Sequence, residues 1–315
     1  MDMSLAMSFQ ERDGKVLLAI DKYDGVLAQR HLKELFWPSA TQRAMEMRLL
    51  LLYRHSYLNR PTQEEVKQKP VPELVYWLGW RGAAWLAAER GVEVEPPKSE
   101  NENQLRRLEN QLRERGIRWR REPRWDQLAH DLAVVDVRMA VEKAVGIVPT
   151  LSLEAWVPES VFRVAPDVVE YQIRAKDGRM RKDRRGVVPD AYFMIVDEER
   201  QRRGLPARAR MLLEVDMGTH DTGSFAREKV AAGLAYINSS VYRARFGKNS
   251  GRWLMVIAGE VRMKHLMEQA RQAVGEGTGA FFFMTLGQVK AGNVLTEPLW
   301  WQVGKREPAA LLSRE

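Results

Sequence analysis

Apolar residues recur at helical spacing through the first ninety positions, and further along they fall into short alternating runs. A first helix is expected over about 15–21, stopping near Asp24-Gly25. A second covers about 28–36 and ends at Trp37-Pro38, where proline blocks continuation. Ser39 or Thr41 can cap a third over 42–55, in which Met45, Leu49 and Leu52 fall on one face. Tyr57-Leu58 then reads as a short strand, Asn59-Arg60-Pro61 as its turn, and 75–78 as the returning strand. Another short helix over 79–89 closes the unit.

From 92 to 102 the chain is rich in Pro and Glu with no apolar period, which marks a boundary. The stretch 104–125 is dense in arginine: Arg106, Arg107, Arg113, Arg115, Arg118, Arg120, Arg121 and Arg124. Leu105, Leu108 and Leu112 keep helical spacing within it, and Trp119 and Trp125 follow. Two readings of these arginines stand open, a helix tracking phosphates or a solvated connector, while the tryptophans are expected to dock on a domain. Beyond it, a helix is expected over 125–144, strands over 151–157, 187–196 and 210–217, and a long helix over 224–245. A strand over 253–258, a helix over 263–274 and a strand over 280–286 complete an α/β pattern, a mixed sheet with helices on its faces. The expected division is 1–94, a linker at 95–124, and 125–315.

Composition narrows the chemistry. The 315 residues are 45% hydrophobic, enough for real cores, and contain no cysteine, which excludes disulfides, Cys-type zinc sites and a thiol nucleophile. Residues 1–10 hold no apolar segment behind a basic one, so no secretory signal is expected, and no run approaches a membrane span. A soluble, cytoplasmic protein with no membrane partner is the expectation. The net charge of +8 and pI near 9.7 suit a polyanion, whose counterions are released on binding.

The helix, helix, turn, helix, wing order predicts a winged helix-turn-helix that sets its third helix in the major groove. The outward side of that helix carries Gln42, Arg43 and Glu46, with Arg48 and Arg54 at its margins. Gln and Arg can bond base edges bidentately, and the peripheral arginines suit phosphate oxygens. Arg60 and Lys67 or Lys69 are further phosphate candidates. The same surface could instead serve a protein partner.

Downstream, Pro189-Asp190 opens an apolar strand and Glu214-Val215-Asp216 ends the next one. Residues two apart on a strand share a face, so Glu214 and Asp216 emerge together, and Asp190 joins them if the strands are neighbours. Three such carboxylates are candidate ligands for Mg²⁺ or Mn²⁺, which would polarise a phosphodiester and lower the pKa of an attacking water. Glu159 is a candidate further acid. His130 is a candidate base, more simply read as a structural histidine. No Walker-type or dinucleotide-binding glycine loop occurs, and no tyrosine lies beside a histidine cluster.

The Pro-Asp…Glu-x-Asp pair and the strand order over about 125–286 resemble the PD-(D/E)XK nuclease superfamily, which implies a restriction-endonuclease-like mixed α/β domain. The superfamily lysine would fall at Asp216, a departure. In some members it has moved to the following helix, where Lys229 is the candidate catalytic cation and Tyr236 shares its face. Over most of its length the chain also resembles the plasmid replication-relaxation family. The matching residues are Leu49…Tyr53…Tyr57-Leu58-Asn59-Arg60-Pro61, Val75-Tyr76-Trp77-Leu78…Arg81-Gly82, Leu128-Ala129-His130-Asp131-Leu132 and Trp156…Glu159. Pro189-Asp190-Ala191, Glu214-Val215-Asp216-Met217-Gly218-Thr219 and Lys229…Tyr236 continue the match. That resemblance implies DNA transactions in plasmid or mobile-element replication or transfer. Double-stranded DNA, replication or transfer proteins and a second copy as homodimer are the partners it brings. Two readings follow: a DNA-binding protein whose nuclease-like domain nicks or cuts with a metal, or a non-catalytic accessory factor whose degenerate domain serves dimerisation or partner binding. A protein–protein adaptor without a DNA role is a third.

Overall fold

The computed structural model describes residues 7–174, 179–218, 226–275, 279–289 and 293–312. They form an α/β protein of two compact units, Met1–Val135 and Asp136–Glu315. No helix among the described residues is long and apolar enough to cross a membrane.

The first unit runs α1 (Glu11–Lys22), β1 (Leu27–Ala28), α2 (Gln29–Phe36), α3 (Gln42–Arg54), β2 (Leu58–Asn59), α4 (Gln63–Gln68), β3 (Val75–Leu78), α5 (Trp80–Glu89) and α6 (Glu102–Glu114). Helix α3 begins where Thr41 accepts a hydrogen bond from the Ala44 N–H at 3.3 Å, and it buries Met45, Leu49 and Leu52. Strand β3 pairs antiparallel with both β1 and β2, a three-stranded sheet in place of the expected hairpin. Helix α4 has no counterpart among the expected elements. Thr62 and Glu65 close a reciprocal cap there, Thr62 N–H to Glu65 at 2.8 Å and Glu65 N–H to Thr62 Oγ1 at 3.2 Å. Gly82 is required where it stands, because a Cβ there would lie 2.2 Å from the Tyr57 carbonyl oxygen.

Asp13, fully buried, caps α1 by accepting the Gln10 N–H at 2.7 Å and also receives the Arg48 guanidinium, with Arg48 Nε at 2.8 Å. This clamps α1 to α3. Arg48, expected as a marginal phosphate contact, therefore serves inside the unit, since a buried carboxylate without its cation is costly.

The arginine-dense stretch is part of the same unit and not a free linker. Trp119 Nε1 donates to the Leu78 carbonyl at 2.9 Å, and Trp77 Nε1 donates to the Arg121 carbonyl at 2.8 Å. Trp125 stands edge-on to Trp77 at 5.7 Å, and Leu128 and Leu132 complete a cluster with Val26, Ala28 and Val75. Its arginines meet carboxylates: Arg118 and Arg120 reach Asp24, Arg124 reaches Asp131, and Arg121 reaches Glu102 and Glu109. The division thus falls inside α7 (Leu128–Ile147), later than the Pro/Glu-rich segment indicates.

The second unit is built on a six-stranded sheet. Its strands are β4 (Leu151–Pro158), β7 (Ala191–Asp197), β8 (Arg208–Asp216), β9 (Gly251–Ile257), β10 (Phe281–Thr285) and β11 (Trp301–Gln302), in the order β11-β10-β9-β8-β7-β4. Strands β8, β9 and β10 are parallel, and the flanking pairs are antiparallel. Short helices α8 (Glu159–Val164) and α9 (Glu198–Arg202) fill connections. Between β4 and β7 the chain makes a separate ribbon, β5 (Asp167–Arg174) with β6 (Met180–Val187), a pair absent from the expected elements. The long helix expected over 224–245 is broken. A π-helical turn, Ala226–Ala231, leads into α10 (Ala232–Ile237), and Ser239 then caps α11 (Ser240–Phe246) by accepting the Tyr242 N–H at 3.0 Å. Its expected start, Ser224, lies outside the described residues, as does Thr219. Helices α12 (Glu260–Val274) and α13 (Leu286–Val289) follow. On one sheet face Tyr192, Leu212, Trp253, Met255, Phe281 and Phe283 pack with Tyr236, Tyr242 and Leu266 of the helices.

Two outcomes are expected. A fragment ending at Pro97 lacks Trp119, Trp125, Leu128 and Leu132, together about 6–12 kcal/mol of burial at about 1.5–3 per side chain, comparable to a whole domain's stability. Circular dichroism should find it unfolded, whereas a fragment ending at Ile147 melts cooperatively; cooperative melting of the shorter one contradicts the assignment of the stretch to this unit. Arg48→Ala should cost about 3 kcal/mol by denaturant titration, because it strands the Asp13 carboxylate.

Candidate functional site

The parallel and antiparallel halves of the second sheet meet at β8, and the chemistry gathers there. Strand β7 pairs with β8 so that Ala191 faces Leu213, and the ladder continues back to Asp190, whose N–H donates to the Leu213 carbonyl at 2.9 Å. On its other side the Asp190 carbonyl accepts the Glu159 N–H at 3.0 Å. With its backbone held from both neighbours, Asp190 turns its carboxylate to accept the Val215 N–H at 2.7 Å. Asp190 and Glu214 are both buried and come from adjacent strands.

Lys229 completes this group. It sits on the π-helical turn after β8, a wider winding than the α-helix that often marks functional positions. Its ammonium lies 2.6 Å from Glu214 Oε1. Burial works against the charge on Lys229, but Glu214 and Asp190 outweigh it and raise its pKa, with Arg185 opposing them weakly. The lysine is therefore protonated at neutral pH, and its charge faces both carboxylates.

Asp216, expected as a third ligand, is a correction. It shares a strand face with Glu214, but its carboxylate takes two guanidinium nitrogens of Arg262 on α12, Nη2 at 2.8 Å and Nε at 3.1 Å. The Gly218 N–H, turned back by a left-handed φ of +88°, donates to it at 2.6 Å. Among the described residues no three Asp, Glu or His side chains gather closely enough to cage a metal ion. Arg262 carried no sequence signal, since its partner lies 46 positions away.

The other candidates lie elsewhere. Glu159 pairs with Arg163 at 2.6 Å. Tyr236 is buried and donates to Asp167 at 2.5 Å, where Arg245 also binds, and burial and that anion push its phenol pKa up. His130 belongs to the first unit, beside Asp131.

On α3 the outward row is exposed at Gln42, Arg43, Glu46, Met47 and Arg54. Gln42 donates to Glu46 at 2.8 Å, and Gln29 of α2 reaches the same oxygen at 3.2 Å, so this polar patch is partly ordered in advance. Arg60 stacks over the Tyr53 ring at 4.7 Å. Lys67 is exposed, and Lys69 is drawn to Glu65 at 3.1 Å and to the Trp125 ring.

Two adjacent strand-end carboxylates with a charged amine can hold a cation and an anion side by side. Mg²⁺ is commonly bound by one or two carboxylates together with water and substrate phosphate oxygens, so Asp190 and Glu214 are the residues that could contribute to holding such an ion. No curated protein matches the chain. A family model described as replication-relaxation matches residues 20–250, which include α3, Asp190, Glu214 and Lys229. Because that match spans well over half of its length, the chain belongs to the replication-relaxation family, which gives it a part in the replication or relaxation of plasmids or other mobile elements.

Proposed function

We propose that the protein binds duplex DNA through the first unit, acting as a winged helix, and nicks or cuts a strand at the Asp190–Glu214–Lys229 group of the second. The observation that carries this reading is the Lys229–Glu214 contact at 2.6 Å beside a buried Asp190. It restores a two-carboxylate-plus-lysine set although the strand position two after Glu214 holds an aspartate. Asp190 and Glu214 would hold Mg²⁺ or Mn²⁺. Such an ion polarises a phosphoryl oxygen and makes bound water a better nucleophile. Lys229, kept protonated by its two anionic neighbours, is suited to donate to a phosphate oxygen and offset developing charge, not to accept a proton. The exposed Gln42, Arg43 and Arg54 of α3, with Arg60 nearby, supply groups for base edges and phosphates. Replication or transfer proteins, or a second copy, are further partners under this reading.

For binding, Arg43→Ala with Arg54→Ala should make the salt dependence of duplex affinity shallower by about 0.9 for each phosphate no longer neutralised, read by fluorescence anisotropy across a salt series. No duplex binding by the wild type at low salt removes the DNA reading.

For the site, Mn²⁺ or Mg²⁺ should raise the melting temperature by mass action, about 2.7 kcal/mol at a hundredfold excess over Kd, and Glu214→Gln should abolish the rise. Asp216→Asn should lower the melting temperature yet keep the metal-induced increase, because Asp216 binds Arg262. Nicking of supercoiled plasmid should fall about a hundredfold or more in Asp190→Ala, Glu214→Gln and Lys229→Ala. Metal stabilisation without nicking of any DNA form would favour the accessory-factor reading.

A further inference from the structure

The ribbon between β4 and β7 has a base and an open blade. At its base Val169, Tyr171 and Val187 are buried in the core of the second unit, and Asp167 is held by the Tyr236 hydroxyl and Arg245. The strands pair from Asp167↔Val187 to Arg174↔Met180. Among the described residues no third strand joins either side. Eight paired residues extend about 26 Å, enough to cross a DNA groove about 12 Å wide that accepts a two-stranded ribbon.

The charge on β6 is one-sided. Residues 179–187 read Arg-Met-Arg-Lys-Asp-Arg-Arg-Gly-Val, with Asp183 the lone acid against five cations. That acid is engaged within the ribbon, accepting the Tyr171 hydroxyl at 2.9 Å and the Arg184 N–H at 2.8 Å. Met180, Arg181, Lys182 and Arg184 are exposed, and the cross-strand positions facing Lys182 and Arg184 are Gln172 and Glu170. Strand β6 therefore carries more positive charge than the ribbon's carboxylates can balance. Desolvating so many cations against an apolar protein partner is costly, whereas a phosphate backbone offers them matched anions.

Arg185 carries this charge to the candidate site. It lies on the inward-facing row with Val187 and is close enough to act electrostatically on Lys229. The ribbon is thus rooted beside the Asp190–Glu214–Lys229 group.

We propose that the β5–β6 ribbon is a second duplex-DNA contact, laying β6 along the phosphates of the segment presented to the Asp190–Glu214–Lys229 group. The proposal rests on that group acting on DNA, but its test needs no cleavage. In the full-length protein, Arg181→Gln, Lys182→Gln and Arg184→Gln together should make the slope of log affinity against log salt shallower by about 0.9 per phosphate released, up to about 2.7 for three. The melting temperature should stay unchanged. Combined with Arg43→Ala and Arg54→Ala, the reductions should sum, since the two surfaces lie on different units. If the α3 substitutions have no effect and the ribbon substitutions do, the winged-helix reading fails and the ribbon contact stands. An unchanged slope in the folded ribbon variant overturns the ribbon contact, whatever α3 does. Should the triple variant not fold, a benzophenone side chain replacing exposed Met180 gives the second measurement. Crosslinking to labelled duplex, competed by unlabelled duplex, supports the contact; crosslinking only to protein, or to nothing, overturns it.

Discussion

The second unit is organised by a hydrogen bond from the Val215 N–H to the Asp190 carboxylate. It sits where the β7–β8 ladder ends, so a side chain takes over the role of a strand that has run out of backbone partners. That bond holds the Asp190 carboxylate against the end of β8, where a one-residue slip of the strand would turn Glu214 to the opposite face. The position of Lys229 follows, because the turn carrying it packs where an anionic pair can offset the cost of burying an ammonium. The ammonium offsets part of the cost of burying the two acids and leaves the group with one net negative charge.

Arginine, the residue type that dominates the charge, is used in two distinct ways. In the first unit Arg48, Arg120 and Arg124 are pinned to buried or half-buried acids and hold helices in place. On the outward row of α3 Arg43 and Arg54 are exposed, and on β6 Arg181, Lys182 and Arg184 are exposed. Net charge alone cannot separate these uses, and neither can local sequence. The cluster over 118–124 and the cluster over 179–185 look alike as strings, yet the first lies against Asp24, Glu102 and Asp131 and the second lies on a two-stranded ribbon.

Much of the architecture is legible where a single period persists. The inward face of α3, the limits of β3 and the acid-bearing end of β8 follow from spacing alone. The β5–β6 ribbon escapes such a reading because charged residues interrupt the alternation of β6, although Val168-Val169-Glu170-Tyr171 carries a strand signature. Helix α4 is hidden by its shortness, despite a Thr62-x-x-Glu65 cap visible in the sequence. The break at Asn238-Ser239 is equally available as a capping serine within an otherwise continuous apolar pattern. At the site, Asp190, Glu214 and Lys229 are legible because strand polarity and the following helix constrain them. Spacing misplaces Asp216 for a physical reason: two residues along a strand are about 7 Å apart, enough for a neighbour to meet a different partner.

That different partner has a consequence for how such a chain can change. Asp216 anchors α12 to the end of β8 through Arg262. A lysine at 216 would set two cations against each other in a nearly closed space and release α12. Positions 216 and 262 must therefore change together, since altering either alone leaves the other charge without its partner. A position that has acquired such a structural partner resists change one substitution at a time, because each single step strands a buried charge.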